Sequence, residues 1–289
     1  MASRDEWLAG ARPRTLPAAA APVLVGTGAA AELGSASLPR ALLALGVALA
    51  LQVGVNYAND YSDGVRGTDL NRVGPIRLTA SRAAAPGQVR TAAMAFLTLG
   101  ATLGLWLVIL SGHPWLLVGG ALAIAAAWFY TGGSKPYGYL GLGEVGVFLF
   151  FGLFAVLGTT YTQAGRVSWI AIVGAVAIGM LASALLMANN LRDIPTDALN
   201  GKLTLAVRIG DRKARWCYAV FLGVPILLGA ICAIQRPWSL LVLLIALPTG
   251  IAASAVLIGA RGRALVPILA TTAQLELAFA VLLTIGLWA

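Results

Sequence analysis

The chain reads as a succession of long apolar stretches divided by short polar connections. Nine candidate spans recur along it, at about 16–32, 39–58, 91–112, 114–131, 144–163, 167–190, 215–235, 238–259 and 265–288. Most approach or exceed the roughly 20 residues that a helix needs to cross a bilayer. The apolar residues run on without alternating, which excludes an outer-membrane barrel built from short alternating segments. The pattern therefore predicts an all-α polytopic membrane protein with nine helices, forming one membrane-embedded domain over residues 1–289. No soluble domain, linker or low-complexity tract interrupts it. The first stretch is short and punctuated by Pro13, Pro17 and Pro22, so it should lie tilted or kinked. Arg4, Arg12 and Arg14 before it, and Gly28 to Ala31 after it, also give it the layout of a signal peptide. Both readings stand at this point.

Composition agrees with the pattern: 59% of the residues are hydrophobic and 11% charged, against about 25% charged in a soluble domain. A net charge of +9 could suggest a nucleic-acid partner, but the basic residues gather in a few connections between spans. With the N-terminus in the cytoplasm, 17 of them fall on the cytoplasmic side, and Arg40, Arg166 and Arg236 fall outside. That asymmetry is what the positive-inside rule describes, so the expected partner is the bilayer and not nucleic acid. Cys217 and Cys232 share one span and would lie about 22 Å apart on a helix, too far for a disulfide. The one histidine, His113, falls outside in this topology, which leaves no zinc set and no histidine-based hydrolase arrangement.

The polar residues are unevenly placed. Asp60, Asp63 and Asp69, three of eleven acidic residues, fall in N-Y-A-N-D-Y-S-D-G-V-R-G-T-D, from Asn56 to Asp69, directly after an apolar run. A second cluster, Asn189, Asn190, Asp193 and Asp197, closes another. Ionised groups at such borders are costly unless a cation or partner offsets them, so both clusters read as functional. Both face the cytoplasm under the nine-span topology. Residues four apart share a helix face, which would align Asn189, Asp193 and Asp197, but Pro195 is expected to kink the helix and turn Asp197 away from Asp193. Asp60 and Asp63 also share a face, with Gly64 and Gly67 after them to let the backbone approach a ligand. Asn56 to Asp60 and Asn59 to Asp63 repeat the spacing of four, a weak internal repeat. The connection 59–90 is long enough to favour a functional role over a plain turn.

Carboxylates with amide oxygens are hard donors that suit Mg²⁺, which binds through one or two carboxylates plus substrate phosphates. Arg66, Arg72 and Arg77 adjoin the first cluster, and Arg192, Lys202 and Arg208 the second. A single acid–base loop could be a solvated membrane face. Two on one side favour a polyanion bridged by metal and gripped by guanidinium groups, and a lipid diphosphate fits. Tyr57, Tyr61, Tyr130, Tyr137 and Tyr139 mark the same borders, either as an interfacial belt or as ring faces for an allylic cation.

With N-D-Y-S-D-G-V-R-G-T-D and N-N-L-R-D-I-P-T-D on the page, the chain resembles the UbiA superfamily of intramembrane aromatic prenyltransferases. It is most similar to the branch that prenylates 1,4-dihydroxy-2-naphthoate in bacterial menaquinone synthesis. R-P-R-T-L-P (12–17), G-P-I-R (74–77), Y-T-G-G-S-K-P-Y-G-Y-L-G-L-G-E (130–144) and G-K-L-T-L-A-V-R-I-G (201–210) carry the same resemblance. It implies nine helices around a central cavity that opens sideways to lipid, and two Mg²⁺ ions holding a polyprenyl diphosphate. Carried onto this sequence, Asp60, Asp63, Asp193 and Asp197 would be metal ligands, with Asn56, Asn59, Asn189 and Asn190 supporting metal or substrate. Arg66, Arg72, Arg77, Arg192 and Lys202 would hold the diphosphate. Lys135, Glu144 and the tyrosines would serve the aromatic acceptor or the cation. The ubiquinone-type spacing D-x-x-D-x-x-x-D would put an acid at Gly67; here the third acid is Asp69, which is carried only as a candidate metal residue. The implied reaction ionises the C1–O bond, joins the allylic cation to the carboxyl-bearing ring carbon and releases CO₂, at the cytoplasmic face of the plasma membrane. The sequence leaves open the prenyl chain length and the oligomeric state.

Two other readings fit the motifs less well. A CDP-alcohol phosphatidyltransferase carries D-G-x-x-A-R and G-x-x-x-D-x-x-x-D in one stretch, which is absent; D-G-V-R-G at Asp63 matches only superficially. A transporter would place its acids near the bilayer midplane on broken helices, whereas these sit at span ends among arginines.

Overall fold

The apolar pattern is realised as helices in the computed structural model, which describes residues 2–68 and 77–289. Among the described residues all regular structure is helical. A short helix α1 (Arg4–Ala11) and a 3₁₀ turn (Pro13–Thr15) lead into α2 (Leu16–Glu32), α3 (Leu38–Arg66), α4 (Pro86–Ser111) and α5 (Leu116–Phe129). Then come α6 (Gly143–Ala164), α7 (Trp169–Leu199), a connecting helix α8 (Leu205–Ile209), α9 (Asp211–Ile234), α10 (Pro237–Ile258) and α11 (Gly262–Trp288). Seven of these are long and apolar enough to cross a membrane, while α5, with 14 residues, is shorter. With α2, of 17 residues, they account for every predicted span.

Two helices outrun their predicted ends. α3 has 29 residues and α7 has 31. At 1.5 Å per residue these are about 43 and 46 Å long, against about 30 Å of hydrocarbon. The overhang carries both acidic clusters, so a polar sequence remains helical where it has left the apolar slab. α3 ends at Gly67, whose φ of 76° lies in the left-handed region that glycine enters without strain. α7 continues through Pro195 to Leu199, so the expected interruption is absent and Asn189, Asp193 and Asp197 share one stripe.

α7 is the central helix: its most apolar window is 67% buried, against 22–39% for the other long helices. Small residues allow this. A Cβ on Gly152 of α6 would lie 2.5 Å from Gly179 Cα, so the two backbones touch. Around that contact, Phe148–Phe154 winds as a π-helix. α2 buries ten residues inside the bundle, and Gly26 O accepts from Thr160 Oγ1 at 3.0 Å. The stretch that resembled a signal peptide is thus an interior helix.

The connections sort into two ends. At one, Arg40 reaches Gln163 O and Leu110 O, Arg166 reaches Leu33 O, and Arg236 reaches Glu32 O. His113 lies here too, its ring 4.7 Å from that of Tyr161. At the other, Asn200 Nδ2 donates to Thr68 O, and Arg66 donates to the carbonyls of Thr131 and Gly133. The three basic residues predicted to lie apart from the other 17 do share one end.

Candidate active site

The first cluster is built on one face of α3. Gln52 and Asn56 both donate to Thr15 Oγ1 at 3.1 Å, and Asn56 also donates to Ala11 O at 2.9 Å. Asn59 Oδ1 accepts from Thr131 Oγ1 at 2.8 Å. Asp60 is fully buried, and its two oxygens accept from the backbone N–H groups of Leu78 and Thr79 at 2.8 and 2.9 Å. Asp63 accepts from the Tyr139 hydroxyl at 2.7 Å, and its other oxygen lies 3.8 Å from Lys202 Nζ.

The second cluster lies at the end of α7. Asp193 is gripped by Arg192 through Nε and Nη2, both at 2.7 Å, and the same Nη2 donates to Asn189 Oδ1. Asn190 donates to Glu144 Oε1 at 2.9 Å. Asp197 Oδ1 is 4.0 Å from Lys202 Nζ. One ammonium therefore stands between Asp63 and Asp197, which joins two clusters more than 130 residues apart in sequence.

Tyr139, named in the sequence only as a border tyrosine, is the hub of this junction. Besides holding Asp63, its ring has the Arg66 guanidinium and the Lys202 ammonium each 5.2 Å from its centre. Burial, and then the Asp63 charge, push its phenol well above the ordinary tyrosine range, so it remains the donor. Burial pushes the neighbouring Tyr137 up to about 12.

These groups stand at the mouth of a cavity of about 1460 Å³. Asn56, Asn59, Asp63, Arg77, Tyr130, Tyr137, Asn189, Arg192 and Lys202 all line it. Its remaining wall is mostly apolar, including Phe150, Phe151 and Phe154 of the π-helix. Along α3 it reaches from Asp63 back to Ala44, about 28 Å at the helical rise.

The other predicted residues stand outside the lining. Asp60, Asp193 and Asp197 back the wall, and Arg66 and Glu144 brace it. Tyr57 donates to Trp7 O, Tyr61 stacks on Trp128, and Lys135 is exposed. Asp69 and Arg72 lie outside the described residues. Among the described residues no three acidic, histidine or cysteine side chains lie together as a ready metal cage. What the arrangement offers is two carboxylates facing each other across a cation, with the amide oxygens of Asn59 and Asn189 nearby. Those are hard donors of the kind Mg²⁺ shares with phosphate. Sequence reasoning gave no role to Gln52, Thr15 and Thr131; the signals were an amide in apolar surroundings for Gln52 and membership of the quoted motifs for the two threonines.

Comparison with known proteins agrees with this geometry. Residues 19–270 match the model of the UbiA prenyltransferase family. The chain is 57% identical over 281 residues to the 1,4-dihydroxy-2-naphthoate octaprenyltransferase of Mycobacterium tuberculosis, covering 97% of this chain and 96% of that one. It is 43% identical over 223 residues to the Escherichia coli protein of the same name, covering 75% of this chain and 72% of that one. In fold it is similar to a UbiA homologue from Archaeoglobus fulgidus bound to DMAPP and Mg²⁺, with a TM-score of 0.71, 15% identity, and coverage of 98% of this chain and 99% of that one. This multi-pass membrane protein belongs to the UbiA prenyltransferase family.

Proposed function

We propose that the protein transfers a polyprenyl group from a polyprenyl diphosphate to 1,4-dihydroxy-2-naphthoate, releasing diphosphate and CO₂ and giving demethylmenaquinol. The observation that carries this reading is the meeting of Asp63, Asp197 and Lys202 at the mouth of a long apolar cavity. A diphosphate headgroup fits the mouth and an isoprenoid tail fits the wall. The identity to two naphthoate octaprenyltransferases supports the choice of acceptor.

Asp63 and Asp197, with Asn59 and Asn189, would hold Mg²⁺, two ions being what the family resemblance implies; Asp69 belongs to the same proposed set. Bound there, Mg²⁺ supplies positive charge to a diphosphate leaving group. Asp60 and Asp193 support the set through the backbone of Leu78 and Thr79 and through Arg192. Arg77 and Lys202, with Arg66 behind them, stabilise the charge that grows on the diphosphate as C1–O breaks and the oxygen keeps the electron pair, and Arg72 belongs to the same proposed set. Tyr130 and Tyr137 present ring faces to the allylic cation. The carboxyl-bearing ring carbon then bonds to C1, and loss of CO₂ returns its bonding pair to the ring. The apolar wall keeps water from the cation. The whole chain acts as one embedded unit in the cell membrane, with its N-terminus and active site on the cytoplasmic side, an orientation supported by the charge asymmetry.

The test is direct. Purified protein given Mg²⁺, a polyprenyl diphosphate and the naphthoate should release diphosphate and CO₂ in equal amounts, and mass spectrometry should find the prenylated ring. Diphosphate release without a joined product would sink the reading.

A further inference from the structure

Among the described residues, six cationic side chains line the cavity: Arg12, Arg14, Arg77, Arg192, Lys202 and Arg263. Four are engaged. Arg192 grips Asp193, Lys202 stands between two aspartates, and Arg12 and Arg77 have interactions of their own. Arg14 and Arg263, both exposed, have no hydrogen-bond or ion-pair partner among the described residues. They come from opposite ends of the chain. Arg14 lies on the Pro13–Thr15 turn, which packs on α11, and Arg263 lies in the first turn of α11.

The Arg14 turn is a built feature. Arg12 takes a left-handed φ of 54°, unusual for a residue with a side chain, and caps the C-terminal end of α1. Gln52 and Asn56 fix the turn through Thr15 Oγ1 and Ala11 O. One helical turn beyond each arginine the cavity wall becomes apolar: Ala18, Ala19 and Pro22 on α2, and Val266, Pro267 and Ala270 on α11. An apolar stretch of the cavity lining thus follows each arginine along its helix.

The polar groups at the mouth therefore fall into two chemically distinct sets. One pairs carboxylates with cations and suits an anion that arrives with metal. The other has guanidinium groups only and suits an anion that needs no metal, since guanidinium forks match a carboxylate directly. We propose that Arg14 and Arg263 form the subsite for the carboxylate of the aromatic acceptor, with the ring between α2 and α11. This rests on the naphthoate reading above. It makes these arginines, and not the aspartate end, the source of any preference for an acid over a neutral naphthol.

The full chain in detergent tests this by calorimetric titration with 1-hydroxy-2-naphthoate and with 1-naphthol. In Arg14→Gln/Arg263→Gln, affinity for the acid should fall about tenfold or more, the loss expected for a charge-assisted contact, while 1-naphthol affinity changes less than about twofold. Arg14→Lys/Arg263→Lys should recover part of the loss, because it keeps charge without the fork. In turnover, the double Gln variant should raise KM for the naphthoate and leave KM for the prenyl diphosphate unchanged. Equal losses for acid and naphthol, or no loss for either, would overturn the assignment. So would a rise confined to the diphosphate KM, which would give the arginines to the donor. Wild-type protein that binds the acid with this arginine dependence yet prenylates nothing would sink the proposed reaction and leave the subsite standing.

Discussion

Asp60 gives both oxygens to backbone N–H groups of the turn at Leu78 and Thr79, whereas Asp63 turns one oxygen toward Lys202 at the cavity. The two aspartates sit three residues apart on α3 and should fail differently. Asp60→Ala strands two buried donors, a cost on the order of 3 kcal/mol; it should lower the unfolding temperature and reduce activity. Asp63→Ala strands one donor, the Tyr139 hydroxyl, and should lower the unfolding temperature less than Asp60→Ala while cutting turnover about 100-fold or more, the scale of losing a metal-borne charge at the leaving group. Thermal unfolding beside turnover separates the two; a stable, inactive Asp60→Ala would show that Asp60 contacts the substrate site directly. Tyr139→Phe keeps the ring beside Arg66 and Lys202 and removes the donor to Asp63. It should raise the Mg²⁺ concentration for half-activity a few-fold, and Tyr139→Leu should raise it further. Because the Tyr139 phenol is shifted upward, it stays protonated past tyrosine's usual pKa of about 10. The wild-type activity profile should therefore show no limb from this group below about pH 10, and a limb from it below that pH would contradict the burial of the phenol and the Asp63 charge beside it.

At the scale of elements, the sequence was most legible where one physical term dominates. Continuous apolar runs located the nine longer helices among the described residues, and arginine placement grouped Arg40, Arg166 and Arg236 at one end. The clusters were legible as polar residues at span ends. Lys202 and Tyr139 were legible as neighbours by type, but their contacts and that of Thr131 were not, because these form only once the loops fold back onto α3 and α7. Polar composition suggested that both helices stop near their clusters. That inference assumed that helix ends where hydrocarbon ends, yet a packed helix can run beyond it. Pro195 shows the same limit. Proline removes the N–H that would bond to Leu191 O and in isolation disfavours helix, but α7 is central and its burial outweighs one lost bond. Pro195→Ala should restore that donor, raise the unfolding temperature and keep activity within about threefold. Loss of activity in a more stable protein would mean that the missing bond gives α7 a bend the site needs.

For the molecule as a whole, the placement of the cavity makes its depth a ruler for the donor. The charged groups stand at one end of α3, and the wall runs about 28 Å toward the other end. Gly120 of α5 and Gly158 of α6 line this wall, and a Cβ at either would meet nothing within 4 Å. Counted along their helices, they lie about 16 Å from Thr131 and about 18 Å from Gly146, both near the charged end. A large side chain there fills space reserved for the tail and leaves the mouth intact. Gly120→Phe and Gly158→Phe should therefore keep turnover with a short prenyl diphosphate and lose it progressively with longer ones. Unfolding should stay close to wild type, since the added ring enters open space. Products from a mixture of donor lengths, resolved by mass, would report the cutoff. If the length distribution is unchanged in both variants, the tail leaves the mouth sideways into lipid, and the deep wall serves something other than the donor.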